Sequence, residues 1–315
     1  MFGKIASVAL QSGITIETML DPAIQPFLHD HQIDGTPVLP GVMGIEAFAE
    51  AALCLLPSWH VAAIEDVNFL APFKVYRNEP RVVSVEATIH PQRGNDSQLH
   101  GLTLLADCRL IGSRLLPNQA EPQVTTHFTA RVRLTKQTPQ GVTVPALGLP
   151  AQHFDGHIIE AADIYRLYFH GPAYQVVERA WWDGHRIIGL MAKGLPANHL
   201  PPELPTIIAP RLIELCFQTA GLWEMGVQGS MGLPQHIDCV SSSSLLVTPE
   251  SAETRFYAVV TPDPPRGSFD AEVVDAKGNH YLQLSGYRTV AVPSAVDAER
   301  LKELQAVMSR ETVAA

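Results

Sequence analysis

Residues 29–52 read HDHQIDGTPVLPGVMGIEAFAEAA, and no other stretch of the chain says as much about the fold. From Gly41 to Leu56 the chain is almost wholly apolar, and Pro57 ends the run. A helix without a polar face must be covered by other elements, so the pattern predicts a buried helix wrapped by a sheet. Pro40 suits its start, because the N–H that proline lacks would be unpaired in the first turn.

A second apolar stretch repeats this pattern. Residues 211–225 read RLIELCFQTAGLWEM, follow Pro210 and predict another buried helix. In each helix a glutamate follows an isoleucine, Glu46 in the first and Glu214 in the second. Carboxylates are rarely buried on apolar helices, so the repetition indicates an internal duplication. For Glu46 the plainer explanation is a favourable interaction with the helix macrodipole.

The remaining pattern predicts strands in both halves of the chain. Apolar and polar residues alternate over 81–89 and 124–134, which is typical of antiparallel strands with one covered face. Further strands are predicted over 102–111, 186–192, 254–261, 269–274 and 280–292. A proline-rich stretch near the middle indicates a linker. We therefore expect two similar units, residues 1–136 and 153–294, a linker over 137–152, and a tail over 295–315 that is a helix or a linker remnant.

Composition excludes several function classes. The chain has 315 residues and a formal net charge of −10, and its sequence shows no basic stripe of the kind on which nucleic-acid binding depends. An acidic protein can still hold a local basic patch, so an acidic protein partner remains an option. No apolar run approaches the ~20 residues that span a bilayer, and we expect a cytoplasmic protein. The cysteines show no CxxC spacing, which favours free thiols over a zinc site or a disulfide framework. They are Cys54, Cys108, Cys216 and Cys239.

A motif with a chemical meaning directly precedes the first apolar helix. His31, Gly35 and Pro40 fit HxxxGxxxxP. This stretch resembles the hotdog-fold dehydratases that act on acyl-carrier-protein thioesters, and at family level the dehydratase domains of type I polyketide synthases and polyunsaturated fatty acid synthases. The resemblance implies an α+β double hotdog, in which two antiparallel sheets each wrap a central apolar helix.

Three further segments resemble the same family, in the family's order. Residues 20–31 resemble its LDP…H start, residues 168–175 (YFHGPAYQ) its YGPxF motif, and residues 210–218 (PRLIELCFQ) its PxLLDxxxQ/H motif. Two positions depart from the pattern: His170 replaces a tyrosine and Glu214 replaces an aspartate. The discrete bacterial dehydratases, which the sequence also resembles, use glutamate at this helix position, so we expect an active site. The replacement at His170 leaves the contribution of the family's tyrosine open.

The chemistry of water loss assigns roles to these residues. A base must remove a proton from Cα, an acid must protonate the departing hydroxyl, and a donor must stabilise the thioester oxygen. His31 is the candidate base, since imidazole is largely neutral at cell pH. Glu214 is the candidate acid, and burial on an apolar helix is expected to raise its pKa. The backbone N–H of Gly41, at a helix N-terminus, is the candidate donor.

The resemblance implies further contacts to the substrate. Glycine at position 41 is expected to let the acyl chain approach closely. Gln218 lies on the helix face of Glu214, where it orients that carboxyl or a water, or fills the core. The candidate substrate-binding residues are Gly35, Leu39, Pro40, Gly41, His170, Gly171, Pro172, Tyr174 and Gln218. Metal ligands are not expected.

The second half contains a possible mirror of the site, because His199 precedes Glu214 by the spacing that separates His31 from Glu46. A vestigial pair of Glu46 and His199 is one interpretation, and a chance spacing in a proline-rich loop is the favoured one.

The resemblance also implies partners. The substrate is expected on the phosphopantetheine of an acyl carrier protein, with no other cofactor, within a larger synthase and in a homodimer. Double-bond isomerisation or cyclisation of acyl-carrier-protein substrates is an alternative activity, and a non-catalytic domain that binds acyl carrier protein or holds the dimer is another. Carrier proteins of this type are acidic, so surface cations are candidate contacts, or ordinary solvated surface: Lys74, Arg77, Arg166, Arg186 and Arg211.

Overall fold

Two buried helices organise the structure, a computed structural model that describes residues 3–9, 13–91, 103–115, 120–138, 158–242, 254–291 and 298–308. The helices are α1 (Pro26–His29), α2 (Gly41–Leu55), α3 (Ala161–Leu167), α4 (Pro210–Gln228) and α5 (Ala298–Met308). Short 3₁₀ turns lie at Tyr76–Asn78 and Pro172–Tyr174. The two apolar helices predicted from the sequence are α2 and α4.

Runs of strands separate these helices along the chain. In order they are β1 (Lys4–Ala9), β2 (Gly13–Leu20), β3 (Gln32–Ile33), β4 (Thr36–Pro37), β5 (His60–Phe69), β6 (Arg81–Pro91), β7 (Thr103–Arg114), β8 (Gln123–Thr135), β9 (Ile158–Glu160), β10 (Val177–Trp182), β11 (Ile187–Met191), β12 (Gly232–Ser242), β13 (Phe256–Asp263), β14 (Ser268–Asp275) and β15 (His280–Ala291).

Helix α2 is the centre of the first half. Val42, Ile45 and Phe48 are fully buried, and each such side chain contributes about 1.5–3 kcal/mol relative to an exposed one. The helix packs against strands β2, β5, β6, β7 and β8. This half therefore has the predicted hotdog arrangement, with one sheet wrapped around one helix.

Helix α4 has the same place in the second half. Residues 212–225 are buried throughout, and the helix contacts β10, β11, β13, β14 and β15. It ends at Gly229, whose positive φ of 73° allows its N–H to bond the Met225 carbonyl at 3.0 Å. The α+β double hotdog is confirmed, with α2 and α4 in contact where the two halves meet.

The expected two sheets are joined edge to edge. The strands of the main sheet pair antiparallel in the order β1-β2-β6-β7-β8-β5-β12-β15-β14-β13-β11-β10-β9, while β3 and β4 form a separate hairpin. The junction is the pairing of β5 with β12, where Ile64 lies opposite Val240 and Val67 opposite Ile237. The two halves thus share one continuous hydrogen-bonded sheet.

Of the predicted linker and tail, the structure describes mainly the tail. Most of the predicted linker, 137–152, lies outside the described residues. Helix α5 falls within the predicted tail, 295–315, and it packs against α3, α4, β9 and β10. Its Leu301 and Leu304 are buried. The described part of the tail is therefore a helix that belongs to the core of the second half.

Candidate active site

One apolar cavity lies where the two halves meet, and it brings the predicted catalytic residues together. Its volume is about 250 Å³, and His31 from the first half and Glu214 from the second both line it. Of the other predicted site residues, Leu39, Gly41, His170 and Gln218 also line it. Neither half could form this site by itself.

A short hairpin positions His31. Strands β3 and β4 fold back on each other, so the Val38 amide donates to the His31 carbonyl at 3.0 Å. The His31 ring makes a second contact with the same residue, because its Nδ1 lies 2.7 Å from the Val38 carbonyl oxygen. A carbonyl only accepts, so Nδ1 carries the proton and Nε2 holds the lone pair of the neutral ring.

The environment of His31 keeps its ring neutral. Burial, and then the positive charge of the neighbouring His170, lower the pKa of His31 to about 4. The negative charge of Glu214 opposes this shift without reversing it. His31 is therefore a neutral imidazole at cell pH, the form that its predicted role as a base requires.

A backbone bridge between the two halves holds His170 beside His31. The backbones at these residues form an isolated antiparallel bridge, and the two ring centroids are 5.3 Å apart. Asp30 fixes the loop beyond it, because its carbonyl accepts from the Gly171 amide at 2.7 Å and its carboxylate from the Ala173 amide at 2.7 Å. Sequence reasoning missed Asp30, although it directly precedes the motif histidine.

Two polar side chains converge on Glu214. Its Oε1 accepts from Gln218 Nε2 at 2.8 Å and lies 3.2 Å from His170 Nε2. Gln218 also donates to the Tyr174 carbonyl at 2.8 Å and accepts from the Tyr165 hydroxyl at 2.9 Å. Among the described residues, both contacts fall on Oε1, which leaves Oε2 for a group bound in the cavity. These contacts favour the first of the roles predicted for Gln218, orientation of the Glu214 carboxyl.

The predicted protonation of Glu214 is wrong. Burial by itself would raise the pKa of this carboxyl, as expected from its apolar helix. The hydrogen bond and charge of His170, the charge of His31 and the amide of Gln218 together outweigh burial and lower the pKa. The side chain is accordingly a carboxylate held by its neighbours.

The walls of the cavity are mostly aromatic and aliphatic. The prominent members that sequence reasoning did not select are Phe69, Phe128, Tyr168, Phe217, Met231 and Tyr287. Phe217 stacks on Tyr287 with ring centroids 4.4 Å apart. Alternation in the strands and the apolar helix predicted such residues as core, and nothing local distinguishes a core side chain from one that lines a cavity.

Several predicted contact residues lie outside the cavity lining: Gly35, Pro40, Gly171, Pro172 and Tyr174. Gly35 is exposed in the β3–β4 turn, where its φ of 71° suits glycine. That glycine at position 41 lets the acyl chain approach stays a prediction. The structure adds a second reason for glycine, because a Cβ there would lie 2.6 Å from the Phe69 ring.

Glu46 and His199 do not form the conceived mirror pair. The two Glu46 oxygens accept from the Ile207 and Ile208 amides at 2.6 and 3.0 Å. His199 Nε2 instead lies 2.8 Å from the Leu204 carbonyl oxygen. Glu46 therefore braces the segment that leads into α4, the helix that carries Glu214.

Three other features of the described ranges bear on function. They contain no cluster of histidine, cysteine and carboxylate side chains arranged to hold a metal ion. None of the helices described is long and apolar enough to cross a membrane. The four cysteines carry free thiols.

Comparison with known sequence families agrees with this geometry. Residues 1–102 match the family described as "Polyketide synthase dehydratase domain", and residues 160–299 match "Polyketide synthase dehydratase N-terminal domain". Polyketide synthase ThaG of Burkholderia thailandensis is 27 % identical over 62 % of the chain. A polyunsaturated fatty acid synthase from a Thraustochytrium species is 23 % identical over 71 %. The matched regions are 3 % and 8 % of those much longer proteins.

Solved structures share the fold. The dehydratase domain from the CurF module of curacin polyketide synthase superposes with a TM-score of 0.73 at 17 % identity, covering 92 % of this chain and 98 % of that one. A trans-AT polyketide synthase dehydratase domain from Brevibacillus brevis gives 0.70 at 16 % identity, covering 92 % and 96 %. The double hotdog is thus shared across nearly the full length of each chain.

Proposed function

We propose, since the chain belongs to the polyketide synthase dehydratase family, that it removes water from a β-hydroxyacyl thioester to give the α,β-enoyl thioester. The observation that carries this proposal is the convergence of His31 and Glu214, from opposite halves, on one apolar cavity. The reaction belongs to polyketide or polyunsaturated fatty acid biosynthesis. An apolar cavity suits the acyl chain and excludes competing water.

The residues present supply each chemical requirement. Neutral His31 takes the Cα proton at Nε2, because Nδ1 is committed to Val38. The electron pair of that C–H bond forms the new double bond, and the Cβ–O bond breaks. The hydroxyl leaves as water with a proton from Glu214, which must first take that proton up because its side chain is a carboxylate at rest. The first N–H of α2, at Gly41, has no partner within the helix and is free to donate to the thioester oxygen.

Partners follow from the same family membership. The acyl group is carried on the phosphopantetheine of an acyl carrier protein, the chain works with other domains of a synthase, and it forms a homodimer. The acidic carrier docks at a basic rim around the cavity mouth. Two of the predicted cations are weak candidates for that rim, because Arg166 pairs with Asp163 at 3.4 Å and Arg186 with Asp183 at 2.7 Å.

The test is product analysis with a β-hydroxyacyl thioester of phosphopantetheine. The wild type should form the enoyl thioester and lose one water, as mass spectrometry detects. His31→Ala and Glu214→Gln should abolish this product while keeping wild-type circular dichroism. Matched controls are His199→Gln and Glu224→Gln, a histidine and a buried α4 glutamate outside the cavity lining, which should retain turnover.

The alternatives give different results in the same assay. A product with a displaced double bond or a ring identifies an isomerase or cyclase. Binding of acyl carrier protein without any product from the wild type identifies a non-catalytic domain. Wild-type turnover by Glu214→Gln would remove that residue from its proposed role.

A further inference from the structure

His170 lines the cavity, but the proposed reaction assigns it no role. Its ring is 6 % exposed, and its Nε2 lies 3.2 Å from Glu214 Oε1. The other nitrogen, Nδ1, is buried and has no hydrogen-bond partner among the described residues. The contact with Glu214 is therefore the polar interaction that fixes this ring.

Packing around His170 suits a positively charged ring. Phe169 stacks on it at a centroid distance of 4.4 Å and an interplanar angle of 22°, and the face of an aromatic ring attracts a cation. Glu214 supplies the opposite charge at hydrogen-bond distance. A buried carboxylate without a cationic partner would be costly, so the pair stabilises both ions together.

Four titratable rings around the pair stay neutral, although the Asp30 carboxylate also lies near, at the loop that follows His170. His31 faces it from the first half, and burial together with the charge of His170 lowers the pKa of His31 to about 4. Tyr168, Tyr174 and Tyr287 face it from the second half, and burial raises the pKa of each well above its usual value. Among the described residues, the 3.2 Å contact of His170 Nε2 with Glu214 Oε1 is thus the one through which a neighbouring ring could pass a proton to this carboxylate.

We propose that His170 and Glu214 form one proton-donating pair, in which His170 holds the proton that Glu214 passes to the leaving hydroxyl. As the Cβ–O bond breaks, the proton on His170 Nε2 moves to the Glu214 carboxylate and passes from it to the departing oxygen, which leaves as water. Glu214 is then again a carboxylate, and His170 is neutral. His31 gains the Cα proton in the same reaction, and release of that proton to solvent with uptake by the pair restores the starting state. The proposal rests on dehydration as the proposed function, and His170 acts in it as a positioning residue that works through Glu214.

The decisive variant is His170→Gln, because the glutamine amide can keep a hydrogen bond to Glu214 but cannot hold a proton. If His170 stores the donor proton, the alkaline limb of the kcat/KM profile should move to lower pH by about one unit or more. A ring that only shapes the site would leave both limbs in place and lower the rate uniformly, which would overturn the proposal.

A second measurement does not depend on turnover. Nitrogen-15 labelling of the histidine rings reports whether both ring nitrogens carry protons, and His170→Gln identifies the His170 signal by its loss. Wild-type His170 should remain doubly protonated up to the pH of the alkaline limb, and Glu214→Gln should remove that protonation. A neutral His170 ring below that pH contradicts the pair even if dehydration is efficient. A doubly protonated, Glu214-dependent ring in a protein that forms no enoyl product supports the pair and rejects the proposed dehydration.

Side-chain length offers a third test. His170→Tyr and Glu214→Asp each change one member of the pair to the residue of the family motif. Each single change should lower kcat at least about tenfold, since it removes a partner or opens the contact. The double variant should recover most of this loss if the two positions act as one unit. Losses that simply multiply would show that they act independently.

Discussion

The ring of His31 donates a hydrogen bond of 2.7 Å to the carbonyl oxygen of Val38, seven residues further along the chain. The β3–β4 hairpin closes between them, so the tautomer of the base is set by local folding before any substrate binds. Burial lowers the pKa of His31 and so keeps its ring uncharged.

The acid side of the pH profile follows from this arrangement. Because the pKa of His31 is lowered to about 4, its imidazole stays neutral far below the usual 6.5. We expect kcat/KM to fall only as the pH drops toward 4, where protonation removes the lone pair from Nε2. Stopped-flow assays that limit exposure to acid measure this limb. An acid limb near 6.5 would mean that His31 is solvated, or that another group is the base.

Replacing Gln218 should lower kcat more than replacing Thr219, the next residue on the same helix. Gln218→Leu removes the amide from Glu214 and leaves the Tyr174 carbonyl and Tyr165 hydroxyl without it. We expect a loss of about 1–3 kcal/mol in the free energy of unfolding and a kcat at least about tenfold lower.

The matched control for Gln218→Leu is Thr219→Val. The buried Thr219 hydroxyl bonds only the Leu215 carbonyl within α4, at 2.7 Å, among the described residues. This variant should retain near wild-type kcat. Equal effects of the two changes on kcat would show that Gln218 has no particular function toward Glu214.

Gly41 should be intolerant of a side chain for a steric reason. In Gly41→Ala the new methyl group would meet the Phe69 ring at 2.6 Å. We expect a destabilisation of about 1–3 kcal/mol by denaturant titration. Gly41→Ala in a Phe69→Leu background should recover part of it, since the smaller side chain vacates that space. Absence of any recovery would place the strain in the backbone.

Glu46 should make the stability of the protein depend on pH. Burial, and then the charge of Glu50, raise the pKa of Glu46 to about 7, while the amides of Ile207 and Ile208 oppose the shift. The folded state therefore keeps a proton that the unfolded chain releases near 4.5, so this contribution to stability is present at low pH. It is lost as the pH rises toward 7.

The corresponding experiment compares the wild type with Glu46→Gln by urea unfolding at several pH values. The wild-type free energy of unfolding should decline relative to that of the variant between pH 4.5 and 7, the range that the two protonation states define. Parallel curves would show that Glu46 is already ionised throughout this range.

The sequence predicted the parts of the fold that repeat at short range. The helix predicted over 41–56 is found at Gly41–Leu55, because its apolar run and flanking prolines are local signals. The strands at the sheet junction were missed. In β12 the alternation is broken by Pro234 and by a register shift between Pro234 and His236, so period two is hidden at the centre of the sheet.

The site residues were likewise predictable where a local motif marks them, and their ionisation was not. His31 and Glu214 were identified from motifs, and both line the cavity. The lowered pKa of Glu214 was not foreseen, because it depends on His170, which only the folded chain brings within 3.2 Å. A residue pattern can place a carboxyl on a helix, whereas its ionisation is decided by side chains from elsewhere in the chain.

The pairing of β5 with β12 has a mechanical consequence. The hydrogen bonds between β5 and β12 cross the boundary between the halves. A hinge motion that moves the halves apart would therefore have to break these interstrand hydrogen bonds. Under the proposed function, we therefore expect the acyl chain to reach His31 and Glu214 through the mouth of the cavity, without separation of the halves.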